Sequence, residues 1–472
     1  MMNPVRRAVC ALGAGLLLAA TARADTLLDI YELALENDPV LRAAQASFRA
    51  GQEFETIGRS ALLPQIGAEA SYSESDTTQK NERIFLLAGM AVTSRSDLDA
   101  DDETESYGIT LSQQLFNLPA WFTFQQGKEL SKQAEAQFGA DQQNLIVRVV
   151  DAYISVLRAI DNLKSSRAAE AAFQRQLEQT QQRFEVGLIA ITDVHEAQAA
   201  YDLAVVNRLT DEGNLGVAYE ALSVLTGQSH ANLWLLSDDF PVDRPSPERR
   251  EDWVEYALTG NFELRAAEYG SEAARQNSQA YKMEHLPKLT GSITMYDNST
   301  DGSNNDNINT GNTYPFTSDV DGTQFQIRLA MPLYTGGRVS SQRRQSLEQY
   351  NAARESHTAT MRNTIQATRS LHLAVVTNVE RVKARRQAMV SAQSALDATT
   401  AGYEVGTRNV VDVLNAQRIL FQSERDYANT RYDYVVSLLG LRKQAGMLSP
   451  EDIAFLNNWL IEPPAPTASG TP

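Results

Sequence analysis

The mature part of this chain has no cysteine. The single Cys10 lies in an N-terminal segment, residues 1–24, with the marks of a signal peptide. Arg6 and Arg7 precede an apolar stretch of 13 residues, Ala8 to Ala20, and Ala22-Arg23-Ala24 reads as a cleavage site that leaves Asp25 first. The stretch is too short to span a bilayer as a helix. Without cysteine the mature chain has no disulfide, thiolate metal site or cysteine nucleophile. Cys10 lies inside the apolar stretch and not after it, so lipid attachment at the processed end is not expected. Histidine is scarce too: His195, His230, His285, His357 and His372 show no zinc-like spacing. No phosphate-binding loop, GxSxG or GxGxxG after a strand is present, so no enzyme, metal or cofactor is expected. No mature stretch reaches 18 apolar residues, which excludes a transmembrane helix but not membrane strands, whose signal is alternation. Basic residues are outnumbered. Removing Arg6, Arg7 and Arg23 from 42 leaves 39 against 59 acidic, a balance of −20 that repels nucleic acid.

What the chain does have is a repeat. Phe184-Glu185-Val186-Gly187-Leu188 returns 219 positions later as Tyr403-Glu404-Val405-Gly406-Thr407. Thr192-Asp193-Val194 follows the first and Val411-Asp412-Val413 the second. Asn37-Asp38-Pro39-Val40-Leu41-Arg42 matches Gly260-Asn261-Phe262-Glu263-Leu264-Arg265, and Leu63-Pro64 matches Leu286-Pro287. The unit is far longer than a solenoid repeat and predicts two structural halves, residues 25–240 and 241–460. Residues 461–472, rich in proline, read as a disordered tail.

Four segments alternate between apolar and polar residues: about 65–75, 105–116, 288–297 and 323–334. Each has the length of a tilted strand crossing a bilayer. An ordinary half-buried sheet in a soluble protein would show the same alternation. Four strands cannot close a barrel, and open edges in lipid leave backbone groups unpaired. If these strands lie in a membrane, several chains must share one barrel. Asp297 to Asp321 reads as a polar loop. Glu74 to Glu105 reads as another, except for the apolar run Ile84 to Val92, which either extends a strand or packs against a neighbouring chain.

Most of the remainder is helical. From Pro119 to about Val186 no further proline occurs, and the same holds from Val339 to Val405. At 1.5 Å per residue each stretch would run about 100 Å if straight. Met389, Ala392, Leu396, Thr399 and Tyr403 step by 3 and 4, as do Glu170, Phe173, Leu177, Thr180 and Phe184, the spacing of antiparallel coiled coils. Gly187 and Gly406 fall where each long helix must turn back, at hairpin tips about 186–192 and 405–410, with Thr192, Asp193 and Asn409 as capping types.

Together these features resemble the outer-membrane efflux protein family, the TolC-like channel-tunnels, over about Thr26 to Leu460. The resemblance rests on Gln182 to Leu188 with Ala190 to Val194, and on Ala401 to Arg408 with Val411 to Leu414. It implies an α+β membrane protein: a homotrimer whose twelve strands, four per chain, form one barrel in outer-membrane lipid. That barrel would be continuous with a long antiparallel α-helical coiled-coil barrel crossing the periplasm. Segments near Leu225–Tyr256 and Met447–Leu460 would form a belt around it. The implied function is a passive exit duct for drug efflux or type I protein secretion. A periplasmic adaptor and an inner-membrane pump or ABC exporter would be its partners. By resemblance, Thr192, Asp193, Tyr403 and Arg408 are gate links at the tip, Asp412 faces the tunnel axis, and Asn415 stands where the family has a second carboxylate. Val186-Gly187-Leu188 and Val405-Gly406-Thr407 match adaptor-docking tips.

Two rival readings keep some of these features. A periplasmic structural or adaptor coiled-coil protein would retain the hairpins and place its strands in a soluble sheet. An outer-membrane adhesin would use the acidic loops to bind a partner.

Overall fold

The structure is a computed structural model that describes residues 24–306 and 312–463. The expected signal peptide, apart from Ala24, and the tail from residue 464 lie outside the described residues. The elements follow in the order α1 (Leu27–Asn37), α2 (Pro39–Ser60), β1 (Gln65–Leu87), β2 (Met90–Phe116), α3 (Leu118–Glu185) and α4 (Ile191–Thr226). Then come β3 (Leu235–Leu236), α5 (Arg250–Gly260), α6 (Phe262–Lys282), β4 (Lys288–Asp306), β5 (Thr313–Ala330) and α7 (Arg338–Glu404). The chain closes with α8 (Val410–Gln444), α9 (Pro450–Asn457) and β6 (Leu460–Ile461). They fall into two compact units, and the boundary passes within α2, α3, α6 and α7.

One unit, Phe48–Ala136 with Arg265–Ala359, is built on an antiparallel sheet of order β1-β2-β4-β5. Its register carries one parity across all four strands. Ala68 faces Ile109, Ile109 faces Met295, Leu111 faces Ile293, and Ile293 faces Phe325. Because directly paired residues share a face, one surface collects Ile66, Tyr107, Ile109, Met295, Phe325, Ile327 and Leu329, all exposed. The other face carries Ser71, Thr110, Thr294 and Gln326, with Thr110 and Thr294 hydroxyls 3.1 Å apart. The expected loops are largely strand. β1 continues to Leu87 and β2 starts at Met90, while β4 runs on to Asp306 and β5 starts at Thr313. Ladder bonds do not need an apolar face, so pairing persists after the apolar alternation has ended. The fourth strand stops at Ala330, short of the expected 334, just before Pro332.

In the same unit α2 and α3 come into backbone contact. A Cβ on Gly58 would lie 3.0 Å from the Phe124 Cα, and one on Gly127 would overlap the Phe54 carbonyl. Gly127 is therefore a contact, not a break in the long helix.

The other unit, made of the described residues up to Ser47, Gln137–Leu264 and those from Thr360 on, has its own core. Leu27, Ile30, Leu145, Tyr153, Leu157, Leu222, Leu233, Leu441 and Ile453 are fully buried there. The segments expected to form a belt supply β3, α5, α9 and β6, with β3 paired to β6. Ile461, placed in the tail by sequence, belongs to that strand pair. A helix not foreseen, α1, joins them; its start is set by a capping box between Thr26 and Asp29.

The repeat is visible at two helix junctions. Asp38 separates α1 from α2 and Asn261 separates α5 from α6, both with extended backbone. Asp38 accepts the amide of Leu41 at 3.0 Å, and Asn261 accepts that of Leu264 at 2.8 Å. Beyond this bond the two differ: Arg148 donates to Asp38 at 2.5 Å and the Val40 amide at 3.4 Å, whereas Asn261 donates to the Gln444 carbonyl at 2.9 Å. Burial alone would push the Asp38 carboxyl up. The Arg148 bond and the Leu41 and Val40 amides outweigh burial and hold it below the ordinary 3.8.

The folded value lies below the unfolded one. The contribution is therefore present above about pH 3.8 and is lost as pH falls through the folded value. Arg148→Ala leaves a buried carboxylate with only its backbone donors and is expected to cost about 2 kcal/mol near neutrality. Thermal melts of variant and wild type should converge in more acidic buffer. A gap that stays constant there would exclude the pair as its cause.

Candidate functional site

Both tips are built alike. At the end of α3 the amide of Gly187 donates to the Phe184 carbonyl (2.8 Å), and that of Leu188 to the Arg183 carbonyl (2.9 Å). At the end of α7 the amide of Gly406 donates to Tyr403 (3.1 Å) and that of Thr407 to Gly402 (2.9 Å). These paired bonds form the Schellman closure. It needs a left-handed residue, and Gly187 and Gly406 have φ of 76° and 79°. A Cβ on either would meet nothing within 4 Å, so glycine is there for its backbone conformation and not for space. The closures leave Val186, Leu188 and Val405 at least 70% exposed, three apolar side chains with no cover among the described residues.

Beneath the tips the two hairpins pack on each other. Phe173 and Leu177 of α3, Ala197, Ala200 and Ala204 of α4, Tyr403 of α7, and Val410, Val413 and Leu414 of α8 make one buried cluster. Further along the same helices Arg425 of α8 donates to Asp211 of α4 at 2.8 Å, with Asp211 buried.

The sequence-derived residues occupy distinct places in this frame. Tyr403 is 8% exposed, and its buried hydroxyl finds no partner among the described residues. The Arg183 guanidinium lies 4.5 Å from the centre of its ring, a cation–π contact that joins the two hairpins. Arg183 was not singled out from sequence, because its partner belongs to the other repeat. Arg408 reaches Asp412 at 3.7 Å, a loose pair four residues apart that the spacing alone could have suggested. Asp412 also completes a capping box: its amide donates to the Asn409 side chain at 2.8 Å, and its carboxylate accepts the Asn409 amide at 3.5 Å. Asn415 is exposed and accepts from Arg418 at 3.2 Å.

The first tip differs. Its N-cap is Ala190, which has no capping side chain. Thr192 and Asp193, expected as caps, sit inside the first turn of α4, where a carboxylate still favours the helix N-terminus. The α4 helix starts two residues earlier than a cap at Thr192 would require. Among the described residues of one chain, neither the Tyr403 hydroxyl nor Arg408 is bonded to Asp193. A link between them has to come from a second copy or from a side-chain rotation.

Tips of this construction, on a chain with a lipid-compatible sheet, can be compared with known proteins. The profile described as "Outer membrane efflux protein" matches residues 30–228 and again 253–447. The chain belongs to the outer membrane efflux protein family. It is 38% identical to the outer membrane protein TolC of Vibrio cholerae, over 93% of this chain and 95% of that one. Identity to TolC of Escherichia coli is 33%, over 94% and 87%. Identity to the alkaline protease secretion protein AprF of Pseudomonas aeruginosa is 30%, over 93% and 88%. Among solved structures a crystal structure of CusC superposes with a TM-score of 0.71 at 17% identity, covering 89% of this chain and 92% of that one, which shows the shared fold. The protein is thus an outer-membrane channel of the efflux and secretion type. These matches do not favour the reading as a soluble periplasmic coiled-coil protein.

Replacing Gly406 by Ala forces a Cβ into the left-handed region without a clash. The expected cost is about 1–2 kcal/mol, confined to the tip. Gly406→Asn should recover part of that cost. Hydrogen exchange over Val405–Val410 is the measurement. Protection unchanged in the Ala variant would show that the closure does not hold the tip.

Proposed function

We propose that three copies of this chain form a single channel, with twelve strands closing one barrel in outer-membrane lipid and the helices continuing as a tunnel. The apolar face of the sheet supports the lipid contact. The edges β1 and β5, each bonded on one side only, support closure by neighbouring copies. The helices point the same way. Leu203, Val206, Thr210, Gly213, Val217, Glu220 and Val224 of α4 recur at steps of 3 and 4 and are all exposed. Nothing lies within 4 Å of a Cβ on Gly213, so another helix can approach closely there. On this reading the halves 25–240 and 241–460 are the two structural repeats, supported by the twofold profile match.

The channel is a passive duct whose tip forms an iris. Thr192, Asp193, Tyr403 and Arg408 are its links, and the observation that carries this assignment is the unpartnered Tyr403 hydroxyl beside the loosely held Arg408. Both can donate to a carboxylate such as Asp193 presented by the adjoining hairpin. Asp412 forms a ring of three carboxylates, whereas Asn415 makes the adjacent ring neutral, which weakens cation selectivity. Val186, Gly187 and Leu188, with Val405, Gly406 and Thr407, offer the exposed surface on which a periplasmic adaptor's hairpins would seat. An inner-membrane pump or ABC exporter supplies the energy. The sequence names of the relatives support efflux and secretion alike.

Each link is worth up to about 1 kcal/mol, so the two links in each of three copies together shift the closed–open balance by up to about 10⁴-fold. Tyr403→Phe with Arg408→Ser should therefore raise single-channel conductance in planar bilayers well above a small, weakly cation-favouring wild type. Equal conductances would remove the gate assignment. No channel from a folded trimer would remove the duct itself.

A further inference from the structure

The β1–β2 hairpin outgrows its sheet. Among the described residues β2 pairs with β4 as far as Leu98↔Asp306, and β1 and β2 stay paired from Lys80↔Asp97 through to Leu87↔Met90. These eight further pairs form a ribbon with no third strand among the described residues. Such ribbons are marginal in water by themselves, and this one ends in apolar side chains that the chain leaves bare. Ile84, Leu86, Leu87 and Met90 are 61–76% exposed, and Phe85 is 48% exposed. A tight turn, Ala88 (φ 52°) and Gly89 (φ 85°), fixes which residues pair.

The unbroken register tells the two faces of the ribbon apart. The lipid-facing parity of the sheet continues upward as Glu74 opposite Glu103, Asp76 opposite Asp101, Thr78 opposite Asp99 and Lys80 opposite Asp97. That column is strongly acidic below the ribbon, up to Asp99, and within the ribbon its charges are paired, Lys80 with Asp97 and Glu82 with Arg95. The opposite parity, which faces the barrel axis, runs through Gln79, Asn81 and Arg83 to Phe85 opposite Val92 and Leu87 opposite Met90. At the tip the inward parity holds two pairs of large apolar residues, whereas the outward parity sets Ile84 against Thr93 and Leu86 against Ala91, above the ion-paired Glu82 and Arg95.

We infer that the three hairpin tips of the proposed trimer meet across the barrel axis and cap its outer mouth. Phe85, Leu87, Met90 and Val92 of each copy pack on those of the other two. The occupant of this apolar face is a second copy of this chain. The ribbon is continuous with β1, the sheet edge that the trimer reading assigns to the next copy, and the inference rests on that reading. Reach allows it: eight residues at about 3.4 Å give about 27 Å. Twelve strands about 4.8 Å apart and tilted about 40° enclose a radius of about 12 Å. The cap is an external constriction, separate from the periplasmic tip, that must part when cargo leaves.

The absence of cysteine from the mature chain makes the test direct. Leu87→Cys and Leu86→Cys are prepared singly, purified as full-length protein, sized by light scattering, diluted and oxidised. The inference expects a disulfide-linked dimer from Leu87→Cys, with one chain in each trimer left single, and little or none from its outward neighbour Leu86→Cys. It also expects Phe85→Asp with Leu87→Asp to raise conductance in a channel whose Tyr403 and Arg408 are already replaced. A trimer in which both or neither cysteine cross-links would overturn the cap and leave the trimer standing. A monomer by light scattering would sink the trimer reading and the cap with it. Quenching of a fluorophore on Leu87→Cys by lipid-borne quenchers would place the tip in the bilayer and overturn the cap.

Discussion

The two outer edges of the four-stranded sheet govern the remaining features. Each edge strand presents a row of backbone donors and acceptors with nothing to bond on its outer side, and the adjoining face is apolar. In water such an edge invites aggregation; in lipid it is too costly to exist alone. The chain is therefore committed to an environment in which another strand meets each edge. The uncovered seam on α4 and the bare valines and leucine at the tips pose the same demand in helical form. These exposed surfaces are complementary in kind to the needs of a closed ring.

How much of this was legible in the sequence varied with the signal. The strands could be placed because alternation of Ile66, Ala68, Ala70 and Tyr72 has no other simple explanation. Their extension could not, because past Tyr72 both faces turn polar and period-two contrast vanishes while the hydrogen-bond ladder continues. The long helices were legible from missing proline, and the turns from Gly187 and Gly406. The first tip was misread at Thr192 and Asp193: good capping residues next to a turn do not reveal which residue takes the extended backbone, and Ala190 took it. The stacking of Arg183 on Tyr403 was hidden because it joins residues far apart in sequence that no local pattern relates. The helix α1 carried a usable signal, Thr26 three residues before Asp29, that was lost beside the cleavage site.

The two tips share a backbone plan and differ in how tightly it is fixed. The second tip has a full capping box from Asn409 and Asp412, and the first has an uncapped start at Ala190. A ring of three chains would thus present stiffer and looser hairpins in alternation.

The two helix junctions extend this inequality to electrostatics. Asp38 and Asn261 hold the same turn with the same amide bond, yet one is an acid buried against an arginine and the other is a neutral amide. Only the first can be switched off by a proton. Under strong acid the Asp38 junction loses its ion pair with Arg148, while the Asn261 junction, held by an uncharged amide, keeps its bonds, so the same turn answers to pH at one place and not at the other.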